Sequence, residues 1–234
     1  MIIKSIHQIE ITSRCNLRCV YCTHPKMQRP KIDMNLETYE KLIDLVKYFV
    51  IDGSQSELNL AGIGESTLHP DLENYISIAR KALGNRIKLV MATNGIEVSK
   101  RPELGNMFKE YGVDVHVSLH RPEKAGKAIE ILKKVGVLTA VSADPSVQAV
   151  DWAGQVDWHV STSLAGSKCA WLHKGMAFAM SDGRITKCGF DANAKGVICH
   201  VDDFKPGVTG TAPFSLCNDC HFDPGNKIPV TEVA

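Results

Sequence analysis

Ser5-Ile-His-Gln-Ile-Glu-Ile-Thr12, followed by Ser13-Arg-Cys15-Asn-Leu-Arg-Cys19-Val-Tyr-Cys22, joins a strand-like run to a loop carrying three cysteines. The spacing CxxxCxxC supplies only three thiolates. An iron–sulfur cube takes four protein ligands, so a loop of this kind leaves one iron open. A disulfide scaffold fits poorly, because Met1-Ile-Ile-Lys leads straight into the strand with no secretory signal. Zinc is the alternative, although its sites usually show two CxxC-like pairs rather than three thiolates in one short loop.

From about residue 5 to 162, short apolar runs alternate with amphipathic stretches, the pattern of β/α units. Strands are expected at Ser5–Thr12, Glu57–Ala61, Arg86–Thr93 and Val113–Leu119, with weaker ones at Val137–Ser142 and Asp157–Ser161. Asn35 caps a helix running to Val50, with Leu36, Tyr39, Leu42, Ile43, Val46 and Phe49 on one stripe. Further helices are expected at Leu72–Leu83, ended by Gly84, at Arg101–Tyr111, and at Glu123–Val135 with Ile129, Leu132 and Val135 inward. About six such units are too few to close an eight-stranded barrel, so the expected fold is an open α/β partial barrel.

Polar residues fall at the strand ends, where the loops of parallel β/α folds converge. Gly62-Ile-Gly-Glu65 follows the second strand, Asn94 the third, and Ser118 with His120 the fourth. Glycines admit close backbone approach, and a carboxylate can hold an ammonium group.

Together, Cys15, Cys19 and Cys22 and these strand-end residues resemble the radical S-adenosylmethionine (SAM) superfamily. The resemblance implies a partial (β/α)6 TIM-type barrel whose [4Fe–4S] cluster binds SAM at its open iron, cleaves it reductively, and so abstracts hydrogen from a substrate. It implies that Tyr21 lies near the adenine and that Gly64 and Glu65 hold the methionyl amino group. Asn94 and Ser118 would contact ribose or carboxylate. His120 is a candidate catalytic residue that could reach substrate or SAM. Asn94-Gly95 could equally be a turn device.

A composition shift marks the last quarter. Five of the eight cysteines lie from Cys169 to Cys220, and Met176–Met180, Ser181-Asp-Gly183 and Arg184–Cys188 read as a hairpin around an Asp-Gly turn. Cys169 and Cys188 form a CX13GX4C pattern, and Cys217-Asn-Asp-Cys220 is CxxC. The hairpin returns the chain close to Cys169, so four thiolates can meet. This resembles the twitch form of the SPASM auxiliary-cluster region, implying an auxiliary [4Fe–4S] cluster held by Cys169, Cys188, Cys217 and Cys220. A zinc ribbon could use the same four residues. Cys199 is left over and reads as a small buried hydrophobe. The expected division is 1–165 for the barrel, 166–224 for the twitch unit and 225–234 for a tail.

The 234 residues carry a formal net charge of +1, which argues against a broad nucleic-acid surface, and no apolar run reaches membrane-spanning length. Eight cysteines without a signal point to a reducing cytoplasm and to metal binding. The resemblance implies a radical SAM oxidoreductase or rearrangement enzyme acting on a small molecule, with an electron donor such as flavodoxin or ferredoxin. Peptide maturation and nucleoside or nucleic-acid-base modification are alternatives, and a non-catalytic zinc- or cluster-binding protein is a different class.

Overall fold

Strand β1 (Ser5–Ile9) lies at the centre of one eight-stranded sheet in the computed structural model, which describes residues 2–142, 151–158, 168–210 and 212–222. On one side follow β2 (Glu57–Asn59), β3 (Lys88–Thr93), β4 (Val113–Ser118) and β5 (Leu138–Ser142), each parallel to its neighbour. On the other side β6 (Met176–Ala179) also pairs in parallel with β1, and β7 (Arg184–Thr186) and β8 (Val197–His200) continue antiparallel. The order β5-β4-β3-β2-β1-β6-β7-β8 is an open α/β sheet of the partial-barrel kind.

Six helices accompany it among the described residues: α1 (Leu36–Ile51), α2 (Leu72–Leu83), α3 (Ile96–Lys100), α4 (Glu103–Glu110), α5 (Pro122–Val135) and α6 (Ala170–Lys174). The Asn35 side chain accepts from Thr38 N–H at 2.8 Å, fixing the start of α1. The expected stripe of α1 is buried from Tyr39 to Phe49, whereas Leu36 at its first turn is exposed. Gly84, at φ +62°, ends α2.

Two local expectations are revised. The helix expected over Arg101–Tyr111 forms as α4, with Pro102 at its N-cap, but a further short helix, α3, precedes it where none was expected. On α5 the buried residues are Ala125, Ala128 and Leu132, while Ile129 and Val135 are only partly buried. The cause is close packing against α3. A methyl at Gly95 would stand 3.0 Å from Ala128 Cβ, so this contact admits alanines where larger side chains would not fit.

The hairpin forms as its Asp-Gly turn predicts: Met180 N–H donates to Arg184 C=O at 2.8 Å, and Gly183 takes φ +83°. Strand β8, which carries Cys199, extends it to a three-stranded meander that the sequence did not suggest. Residues 159–161 of the last expected barrel strand, the 165/166 division and the tail 225–234 lie outside the described residues. No helix among the described residues is long and apolar enough to cross a membrane.

Candidate functional site

Because β1 to β4 are parallel, their C-terminal ends meet on one rim, and a cleft opens there. Cys15, Cys19 and Cys22 from the β1 loop line it. So do Gly64 and Glu65 after β2, Asn94 after β3, and Ser118 and His120 after β4. Tyr21 also faces it, so all nine residues expected at this site share one cavity. His120 reaches the cleft although β4 ends at Ser118.

The cysteine loop is shaped for thiolates. Leu17 N–H points at Cys15 Sγ and His24 N–H at Cys22 Sγ, each at 3.4 Å. Burial pushes the Cys15 thiol up to about 12, with the nearby Glu65 carboxylate adding to the effect and the Leu17 N–H opposing it. Burial likewise raises Cys22. Thiols this reluctant to ionise in water-poor surroundings become ligands when a metal displaces their protons. Three soft donors on one loop, with N–H groups aimed at two of them, fit an iron–sulfur cluster with one open iron.

Each glycine of Gly62-Ile63-Gly64 has a separate packing reason. A Cβ at Gly62 would lie 2.3 Å from Glu10 Cγ, and one at Gly64 would lie 2.1 Å from the Thr12 carbonyl oxygen. Glu65 N–H then donates to Arg14 C=O at 2.7 Å, clamping this turn to the backbone that enters the cysteine loop. Gly64→Ala must push these two backbones apart. Displacement by about 1 Å at a site can cost on the order of a hundredfold in rate, so turnover in this cleft is expected to fall by roughly that factor while the metal content is retained. Unchanged turnover would mean that the clamp does not set the cleft.

The Glu65 carboxylate is buried and accepts from Thr67 Oγ1 (2.6 Å), Thr93 Oγ1 (2.7 Å) and Asn94 N–H (2.7 Å). Burial raises its pKa, and these donors oppose the rise. Glu65 thus ties the ends of β2 and β3 together as well as lining the cleft. Asn94 serves as the turn device while also lining the cleft. Its Oδ1 accepts from Ile96 N–H at the start of α3, and its Nδ2 donates to Asn16 Oδ1 in the cysteine loop. Tyr21 Oη and His120 Nδ1 are 2.8 Å apart, and burial lowers the His120 pKa, favouring neutral imidazole. Two further histidines serve elsewhere: His69 packs at a tilt on Tyr75, and His116 pairs with Ser142.

A second pocket is lined by Cys169, Cys188, Cys217 and Cys220 among Trp171, Phe190, Phe214 and Phe222. Phe190 N–H points at Cys188 Sγ at 3.4 Å, and burial raises the thiols of Cys188, Cys217 and Cys220. Cys199 stands apart from this pocket, packed at the edge of the main core. None of the eight cysteines is in a disulfide.

Residues 9–166 match the radical SAM superfamily. The chain belongs to that family. Radical SAM proteins use a [4Fe–4S] cluster and SAM, and the cleft has the donor set for both. A tungsten-containing aldehyde ferredoxin oxidoreductase cofactor-modifying protein of Pyrococcus furiosus is 28% identical over 152 residues, 64% of this chain and 40% of that one. A GTP 3′,8-cyclase of Aquifex aeolicus is 34% identical over 128 residues, 52% of this chain and 38% of that one. The chain therefore spans about two-fifths of the length of these two relatives. Among solved structures, BtrN in complex with AdoMet and 2-DOIA superposes with TM-score 0.70 at 18% identity, covering 85% of this chain and 78% of that one. Native anSMEcpe with bound AdoMet and a peptide gives 0.59 at 15%, covering 93% and 82%. The radical SAM fold and membership make this chain an enzyme.

Two structural contributors escaped the sequence reading. Glu10 and Arg29 form a buried ion pair behind the cleft, and Trp152 lines the cleft beside the cysteines. Glu10 left a trace, a charge inside the apolar run Ile9–Ile11; Trp152 left none.

Proposed function

We propose that this chain oxidises or rearranges a small molecule at an unactivated C–H bond. The observation that carries this reading is the single cleft in which the three-cysteine loop, Glu65, Asn94 and the Tyr21–His120 pair meet. When bound together there, the cluster and SAM supply a 5′-deoxyadenosyl radical able to take a hydrogen atom from substrate. Cys15, Cys19 and Cys22 are the ligands. Tyr21 offers its face to the adenine. Glu65, with Gly64 allowing close approach, takes the methionyl ammonium, and Asn94 and Ser118 serve the ribose or carboxylate. His120, whose pKa burial lowers and which contacts Tyr21, would accept a proton from a substrate hydroxyl in this reading.

Residues 166–224 form, in this reading, a twitch unit whose Cys169, Cys188, Cys217 and Cys220 hold an auxiliary [4Fe–4S] cluster, a closed redox centre beside the first. An apolar pocket lined by four cysteine side chains supports it. A nucleotide substrate is the second reading, supported by the similarity to GTP 3′,8-cyclase over 128 residues.

The reductant, an electron donor such as flavodoxin or ferredoxin, is assigned to the outer face of the cysteine loop. From Ile11 to Ile32 the chain has five Lys and Arg residues and no acid. Arg18, Lys26 and Lys31 there make no ion pair among the described residues, and Val20 is 75% exposed. Reduced, reconstituted protein is expected to convert SAM to 5′-deoxyadenosine and methionine in a reducing cytoplasm-like buffer, and flavodoxin is expected to replace dithionite as the donor. Absence of 5′-deoxyadenosine with either reductant would remove the proposal.

A further inference from the structure

Trp152 and Ala153 adopt φ of +56° and +58°, and Gly154 continues at +73°. Ala194 is the one other non-glycine residue with positive φ among the described residues. Left-handed backbone is disfavoured for residues bearing a bulky side chain, and it persists where surrounding contacts over-determine it. Here the contacts come from both cysteine sites.

The Trp152 indole lines the SAM-side cleft, packs in the cluster that includes Cys22, and donates from Nε1 to the Tyr21 carbonyl at 2.9 Å. Its ring meets Phe190 edge to face at 5.3 Å, two residues from Cys188. Ala153, one residue on, lines the tail pocket. Gly154 lies against Asp219, between Cys217 and Cys220, so closely that a Cβ would stand 2.8 Å from Asp219 Cβ. The Gln155 amide closes the turn by donating to the carbonyls of both Trp152 (2.6 Å) and Phe190 (2.7 Å).

We propose that Trp152 is a positioning residue: the left-handed turn Trp152–Gly154 couples the tail cysteine site to the cofactor cleft. The Cys217–Cys220 segment braces the turn from behind, and the turn presses the indole against the Tyr21 carbonyl. Order at the tail site thereby fixes the aromatic wall on which SAM rests. This rests on the reading of the cleft as the SAM site. It adds a role for a residue whose neighbours lie in two separate metal-binding segments.

The test measures SAM binding by anaerobic equilibrium dialysis of reconstituted protein, with the electron paramagnetic resonance change of the reduced first cluster on SAM addition as a second readout. Gly154→Ala, which faces Asp219 rather than the cleft, is expected to weaken SAM binding about tenfold, within the usual range for coupled sites. Adding Asp219→Gly removes the atom it strikes and is expected to restore most of that loss. Trp152→Phe keeps a ring against Phe190 but drops the donor to Tyr21, and is expected to weaken binding about threefold and alter the resonance signal. If Gly154→Ala does not load iron, Trp152→Phe decides. Wild-type affinity and signal in Trp152→Phe, or in iron-replete Gly154→Ala, would overturn the coupling. Failure of the wild-type protein to bind SAM would instead overturn the reading of the cleft.

Discussion

Cys15→Ala is expected to abolish reductive SAM cleavage and to remove about four of the eight irons that two cubes would hold. Two thiolates cannot keep a cube that already lacks a fourth protein ligand. The remaining pair, Cys19 and Cys22, belongs to one short turn, with Cys22 N–H bonded to the Cys19 carbonyl at 3.2 Å, so neither can move to fill the gap. The loss of 5′-deoxyadenosine formation is expected to exceed a thousandfold, because cluster and SAM carry the chemistry and the protein has no substitute for them. Two comparisons make the result specific. Cys217→Ala is expected to lose the other share of iron while the first cluster's SAM-induced spectral change remains measurable. Cys199→Ala, outside both pockets, is expected to lose neither. Full iron and full turnover in Cys15→Ala would show that the cleft is not the site of SAM cleavage. Zinc rather than iron at the tail would leave the first result intact and remove the auxiliary cluster.

The cysteine loop was legible because ligand spacing is a local property: three donors within eight residues need no tertiary information to be recognised. Glu65, Asn94, Ser118 and His120 were legible one step later, because parallel strands bring their C-terminal ends to a common rim. The tail cysteines were found through the Asp-Gly turn, which folds a long sequence separation into a short distance. What remained hidden depends on partners far apart in the chain. Arg29 reads as one more loop cation until it meets Glu10, and nothing in Asp151-Trp-Ala-Gly154 announces left-handed backbone at a tryptophan. Nor could periodicity alone choose Ala125 and Ala128 over Ile129 and Val135, since the choice is made by the closeness of α3.

Arg29→Met is expected to be the most destabilising single change outside the metal sites. Arg29 and Glu10 side chains are each 4% exposed, with Arg29 Nη2 2.6 Å from Glu10 Oε2 and 2.8 Å from Oε1. The guanidinium also donates to Ala192 C=O and to Ser181 Oγ. Removing the cation leaves a buried carboxylate with, among the described residues, the Ile63 and Ser181 N–H groups to satisfy it. Breaking a buried pair in this way costs roughly 3–5 kcal/mol, a large part of the stability of an ordinary domain. Urea denaturation is expected to show that loss, and the double variant Glu10→Met with Arg29→Met is expected to recover much of it, since no lone charge then remains buried. The functional consequence separates this pair from an ordinary core contact. Glu10 accepts from Ile63 in the Gly62–Gly64 turn and from Ser181 in the hairpin turn, so one carboxylate anchors both the SAM-side loop and the tail hairpin. The double variant is therefore expected to regain stability while binding SAM more weakly than wild type. Recovery of both together would reduce the pair to packing alone.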